Sequence, residues 1–189
     1  QRASSNGNIN ETSAAGYYKY CTGPTTPANY KDGDYLLEFE LNDRFKDEIS
    51  GFISNRGQQV VLKTPEVATK EEVIYIMDKF NAAEAVAYAQ AGSSERNFAA
   101  GSLSTSNGKY TYTSSVSDYS VTVSSYDELI DAESFAQNYL VQEYVENLDG
   151  VATSFYVNLK NQDSLFTATP VWDFDWTMGQ YGNRKKISS

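Results

Sequence analysis

Asn147-Leu148-Asp149-Gly150 and Pro170-Val171-Trp172-Asp173-Phe174-Asp175 are the two stretches on which the reading of this chain turns. Between them lie two short apolar runs, Ser154-Phe155-Tyr156-Val157-Asn158-Leu159 and Leu165-Phe166-Thr167-Ala168, with Asn161-Gln162-Asp163 as the loop of a hairpin. Before them, Asp131 is placed to cap a helix over about 132–147, in which Phe135, Tyr139, Leu140, Glu143, Tyr144 and Val145 fall close to helical spacing. Gly150 is the residue expected to take the left-handed conformation that closes this segment. In an extended strand Asp173 and Asp175 point to one face, and Trp172, Phe174 and Trp176 to the other. The aromatics are therefore expected to anchor in the core and to hold the two carboxylates side by side. Adjacent carboxylates repel, and a divalent cation between them offsets that repulsion.

The rest of the chain carries ordinary punctuation. Lys31-Asp32-Gly33-Asp34 is a turn, and Tyr35 to Leu41 reads as a strand. Asn55-Arg56-Gly57 sits between two apolar runs as a hairpin turn. Thr69-Lys70-Glu71-Glu72 is a capping box. Val73, Ile76, Met77, Phe80, Ala83 and Ala87 then recur at helical steps, which predicts an amphipathic helix over about 70–91. Residues 93–125 are rich in serine, threonine and tyrosine, with Asn107-Gly108 as a turn, and predict a polar β-rich insertion.

Composition excludes several chemistries. The 189 residues contain no histidine, so neither a Ser-His-Asp triad nor an imidazole metal site can be built from them. One cysteine, Cys21, gives no intrachain disulfide and no thiolate zinc cluster. A net charge of −10 argues against a nucleic-acid-coating surface. No apolar run is long enough to span a membrane as a helix. Hydroxyls, lysines and carboxylates remain, and the carboxylates suit a hard cation.

A helix, an aspartate after it, a hairpin and an Asp-Phe-x segment follow one another in the C-lobe of protein kinases. There the first aspartate accepts the substrate hydroxyl proton and the second holds Mg²⁺ on the phosphates. The same Asp-Phe-Asp also suits a tight turn in which the side chains accept from backbone N–H groups.

Four stretches together resemble the CotH family, the spore-coat protein kinases and their secreted relatives. They are Gly33-Asp34-Tyr35-Leu36-Leu37-Glu38, Val61-Leu62-Lys63-Thr64-Pro65-Glu66, Phe135 through Gln142-Glu143 to Gly150, and Pro170 through Asp175. The resemblance implies an α+β, atypical protein-kinase-like C-lobe with a β-rich insertion. It divides the chain into a loop-rich lead-in at 1–32, a partial CotH-like kinase domain at 33–180 and a tail at 181–189. It implies Asp149 as the catalytic-loop aspartate with Asn147 positioning it, and Asp173 as a metal ligand. Asp175 is implied as a second metal contact. ATP and Mg²⁺ (or Mn²⁺) are the implied cosubstrate and metal, protein serine or threonine the implied acceptor, and the outside of a bacterial cell the implied location.

Departures from the kinase pattern shape further expectations. Common kinases place an asparagine metal ligand five residues after the catalytic aspartate; Ser154 stands there, and Asn158 is off register. No Gly-rich nucleotide loop is recognisable, and few residues precede Gly33. The chain is therefore expected to be the central-to-C-terminal part of an incomplete domain, its N-lobe absent, inactive alone. Two other readings stay open. One is a non-catalytic extracellular binding or scaffold module of a cell-surface or cellulosome-type assembly, with the stretch 101–126 meeting glycan or protein. The other is a structural Ca²⁺ site at the two aspartates.

Overall fold

A computed structural model describes residues 9–12, 16–93, 100–147, 150, 153–175, 177 and 178. They build an α+β fold of two antiparallel sheets and three α-helices among the described residues. The main sheet takes strands β1 (Ile9–Thr12), β2 (Tyr18–Cys21), β3 (Tyr35–Glu40), β4 (Gly51–Ile53), β5 (Gln59–Thr64), β9 (Phe155–Leu159) and β10 (Thr167–Ala168). Their spatial order is β1-β2-β4-β5-β3-β9-β10. The stretch read as a lead-in thus adds two strands at one edge, alongside its loops.

Strand β3 sits near the middle, antiparallel to β5 on one side and β9 on the other, with Leu37 opposite both Leu62 and Val157. Strand alternation sends Tyr35, Leu37 and Phe39 to one face, where they meet helix α2 (Lys70–Gln90). Val73, Ile76 and Met77 of that helix are fully buried against them, as the spacing predicts. The helix starts at the predicted capping box: Thr69 accepts from the Glu72 amide, and the Glu72 carboxylate accepts from the Thr69 amide at 2.8 Å. A short helix that the sequence did not announce, α1 (Asn42–Asp47), lies across the opposite face of the sheet. Its Phe45 is buried, and the buried Lys19 ammonium donates to the Phe45 carbonyl.

The insertion is a separate three-stranded sheet of β6 (Gly101–Ser106), β7 (Lys109–Ser114) and β8 (Ser120–Val123). Asn107 and Gly108, at φ 51° and 71°, form its two-residue turn. Both central residues of this turn type need positive φ, which glycine and asparagine adopt most readily. Tyr112 faces inward onto Ala82 and Ala85 of α2. The outward face shows rows of hydroxyls: Thr111 bonds Thr122 at 2.9 Å, and Thr113 bonds Ser120 at 3.3 Å.

Helix α3 (Ala132–Tyr144) is capped by Asp131, whose carboxylate accepts from the Ser134 amide. Its buried residues are polar, Asn138 and Gln142, while Tyr139, Leu140 and Tyr144 are exposed. Its end corrects the sequence reading. The left-handed residue is Glu146, at φ 51°, with the Asn147 amide bonded to the Gln142 carbonyl and the Glu146 amide to that of Glu143. That pair of bonds is a Schellman closure, and it places the reversal four residues before Gly150. Gly150 is needed for space instead, since a Cβ there would lie 2.4 Å from Gln142 Cδ.

Several carboxyls are buried in this frame. Burial lifts Glu84 to about 7 and raises Asp78 and Glu40, the last aided by the neighbouring Glu38. A raised acid binds its proton more tightly in the folded chain, so stability falls as pH climbs from the ordinary carboxylate range through the raised value. In Glu84→Gln the fall in Tm between about pH 5 and pH 8 is expected to be shallower than in the parent, read by thermal unfolding across that range. Thr69→Ala removes the cap and is expected to lower stability by about 1 kcal/mol in chemical denaturation.

Candidate functional site

The site forms on the face of the main sheet opposite α2. Glu38 and Glu40 of β3, and Tyr156 and Asn158 of β9, alternate with the core residues and so point there. Lys63 of β5 reaches Glu38 and Glu48, each at 3.1 Å. Burial alone would lower the Lys63 ammonium, but these two carboxylates outweigh it and raise its pKa. The Tyr156 phenol is pushed upward by burial and by the nearby Glu38 carboxylate.

Two segments converge beside this face. The chain leaving α3 carries Asn147, which is buried. Its amide donates to Gln142 Oε1 at 2.8 Å and to the Asp173 backbone carbonyl at 2.8 Å. Ser154, also buried, donates through Oγ to Asp173 Oδ2 at 3.1 Å. Further on, the Met178 amide bonds the Val145 carbonyl at 2.8 Å, and Thr177 closes onto the Phe174 carbonyl at 2.6 Å. Asp173 is thus held at its backbone from one side and at its carboxylate from another.

Four of the five described non-glycine residues with positive φ belong to these segments: Glu146, Ser154, Asp173 and Met178, at 50–61°. Each such residue costs of order 1–2 kcal/mol. Their clustering marks a backbone forced into shape by its surroundings, as occurs where side chains must be aimed.

This geometry corrects the expected alternation. At φ 61°, Asp173 is not in an extended strand, so its neighbours do not sort onto two faces. Trp172 and Phe174 are 56% and 42% exposed rather than anchored in the core. Trp172 instead lies edge-on to the Tyr156 ring, centroids 6.4 Å apart. Trp176, Leu148 and the catalytic candidate Asp149 lie outside the described residues. Asp173 is half-buried and Asp175 exposed. Among the described residues, no three carboxylates or thiols cluster closely enough to make a metal centre.

Ser154 is the residue at this site that sequence reasoning does not single out. It departs from the asparagine of common kinases, and its hydroxyl is the side chain that meets the Asp173 carboxylate. Its place in the sequence, where common kinases carry an asparagine, is the available signal. Asn158 is engaged elsewhere, donating to Asp34 and to the Tyr35 carbonyl.

A helix closing into a braced loop, a hairpin, and an aspartate fixed against that loop give the α+β frame of a kinase-like domain. The sequence model of the family described as CotH kinase protein matches residues 61–188, and the chain belongs to that family. The match begins later than the resemblance at Gly33 and runs past Asp175. Comparisons with curated proteins and with solved structures returned no match.

Asn147→Ala leaves Gln142 Oε1 without this donor and unties the Asp173 carbonyl. It is expected to destabilise the chain by about 2 kcal/mol, read from the denaturation midpoint. Ser154→Ala is expected to cost about 1 kcal/mol or less, because the half-buried Asp173 carboxylate can turn to water.

Proposed function

We infer that the chain forms part of a CotH-type protein kinase, which moves the γ-phosphoryl group of ATP onto a serine or threonine hydroxyl of a protein. The observation that supports this reading is the Asn147 bond to Asp173, which brings the loop after α3 and the acidic pair to one place. In this reading Asp149 takes the acceptor's proton as its oxygen attacks the γ-phosphorus and the bond to ADP breaks. Asn147 positions the loop that carries Asp149.

In this reading Asp173 would supply an oxygen donor to Mg²⁺ or Mn²⁺, with Asp175 as a second contact. The donor set fits a hard cation, since the carboxylates of the pair and the Ser154 hydroxyl are all oxygen ligands and Asp173 is already oriented. A bound divalent cation supplies positive charge to the phosphate oxygens. The family supports a protein substrate and spore-coat relatives. An extracellular or bacterial cell-surface location belongs to the same proposal.

The second reading, a non-catalytic surface module, draws on the hydroxyl rows of β6–β8. Tyr112 faces α2 and so does not offer its ring for glycan stacking on that sheet. Glycan-array binding without ATP would favour this reading over catalysis.

The deciding experiment is γ-phosphoryl transfer to a serine/threonine-rich protein by the full gene product with Mg²⁺ or Mn²⁺. Asp149→Ala is expected to slow transfer by about 10²–10⁴, and Asp173→Ala to abolish metal-dependent transfer. Undiminished activity in Asp173→Ala overturns the proposal.

A further inference from the structure

Helix α3 turns an apolar side to solvent. Asn138 and Gln142 take its inner side, so the positions opposite them, Ala136, Leu140 and Tyr144, look outward at successive steps of four. Leu140 is 65% exposed and Tyr144 81%. Ala136 is exposed as well, and its methyl group leaves room for another backbone to come close. Just past the helix, the exposed Met178 is tied through its amide to the Val145 carbonyl, which adds its side chain to the same end. Large exposed apolar side chains are concentrated here: among the described residues, all but Leu41, Tyr88 and Leu165 lie on α3 or in the acidic segment after β10. Single exposed apolar residues are ordinary, whereas a contiguous group marks an interaction surface.

Charge selects what this surface can take. Glu133, Glu143 and Glu146 are exposed on α3 and at its end. The helix has no basic residue in its last turn, so nothing of its own there offsets the partial negative charge of its final carbonyls. No lysine or arginine occurs between Lys109 and Lys160. A second copy of the chain would bring the same three carboxylates against these, on a molecule of net charge −10. An anionic lipid surface would be repelled in the same way. A cationic partner gains from both features at once, apolar burial in the middle and ion pairs at the rim. The row of side chains four apart is the ridge that another helix accepts in its groove.

We propose that the outward side of α3 docks an amphipathic helix of a partner protein. That helix lays leucine-type side chains on Leu140, Tyr144 and Met178 and brings lysine or arginine to Glu133, Glu143 and Glu146. Docking does not depend on phosphoryl transfer, so its outcome is separate from that of the transfer assay.

The probe is a labelled synthetic helix of leucine and lysine in amphipathic order, titrated with the 189-residue chain by fluorescence anisotropy. One control peptide carries glutamate for lysine and another serine for leucine. The leucine–lysine helix is expected to bind at least tenfold more tightly than the serine control, and less tightly as salt is raised. The glutamate control is expected not to bind. Leu140→Ser with Tyr144→Ser, and separately Glu133→Lys with Glu143→Lys, are each expected to cut affinity tenfold or more while the Tm stays at the parent value. Leu41→Ser, and Asp32→Lys with Asp118→Lys, change exposed residues on other elements and are expected to leave affinity unchanged. These controls separate docking on α3 from general attraction to an acidic protein. Equal binding of the serine control, parent affinity in either α3 double variant, or the same loss in the control variants overturns the proposal. Self-association of the chain that Leu140→Ser with Tyr144→Ser abolishes assigns the surface to a second copy and also overturns it. So does tenfold tighter binding by a chain ending at Met178, which assigns the surface to the basic stretch Arg184-Lys185-Lys186.

Discussion

Strand β3 bears the organising constraint of this molecule. It pairs with β5, close in sequence, with a register shift between Leu36 and Leu37, and with β9, more than a hundred residues away; from Leu37 to Phe39 both pairings align with one apolar row. A slip of one residue against either neighbour would turn Tyr35, Leu37 and Phe39 away from α2 and put Glu38 and Glu40 into the core. The single register therefore sets two surfaces together. One is the packed interior under α2, and the other is the acidic face beside which Asp173 is held.

Local features are legible in the sequence because local chemistry determines them. Thr69 and Glu72 satisfy one another within a turn of helix, and Asn107-Gly108 accepts backbone angles that few other pairs accept. The hairpin after Asn147 followed from the same kind of cue. Long-range facts were less legible. Nothing near Tyr18 or Gly51 announces that β2 and β4 will be neighbours, and α1 has no side-chain cap. At the site, the family motif points to Asp173, but the alternation rule misplaces Trp172 and Phe174 because one residue, Asp173, is left-handed. No spacing pattern reports such an angle at a non-glycine residue. The Ser154 contact was hidden for a similar reason: the kinase pattern directs attention to asparagine, and a serine reads as a gap.

Polar groups are unusually prominent where this fold joins its parts. Asn138 and Gln142 form the inner side of α3, and Gln142 supports the same Asn147 that touches Asp173. Gly150 must stay small because Gln142 fills the space beside it. The loop is thus shaped by hydrogen bonds more than by apolar burial, which defines positions more sharply than a greasy contact of equal area.

The seam between α2 and the three-stranded sheet shows the same preference. Asp78 accepts from Ser117 at 2.6 Å, Asn81 accepts from the Asn55 amide, and Asn55 accepts from the Ala100 amide, around the single large apolar plug of Tyr112. Such a joint behaves as a dovetail. It fixes orientation while contributing little of the core, so changes of length at the Asn107-Gly108 tip leave the seven-stranded sheet untouched, and the appendage is free to diversify independently of the body that carries it.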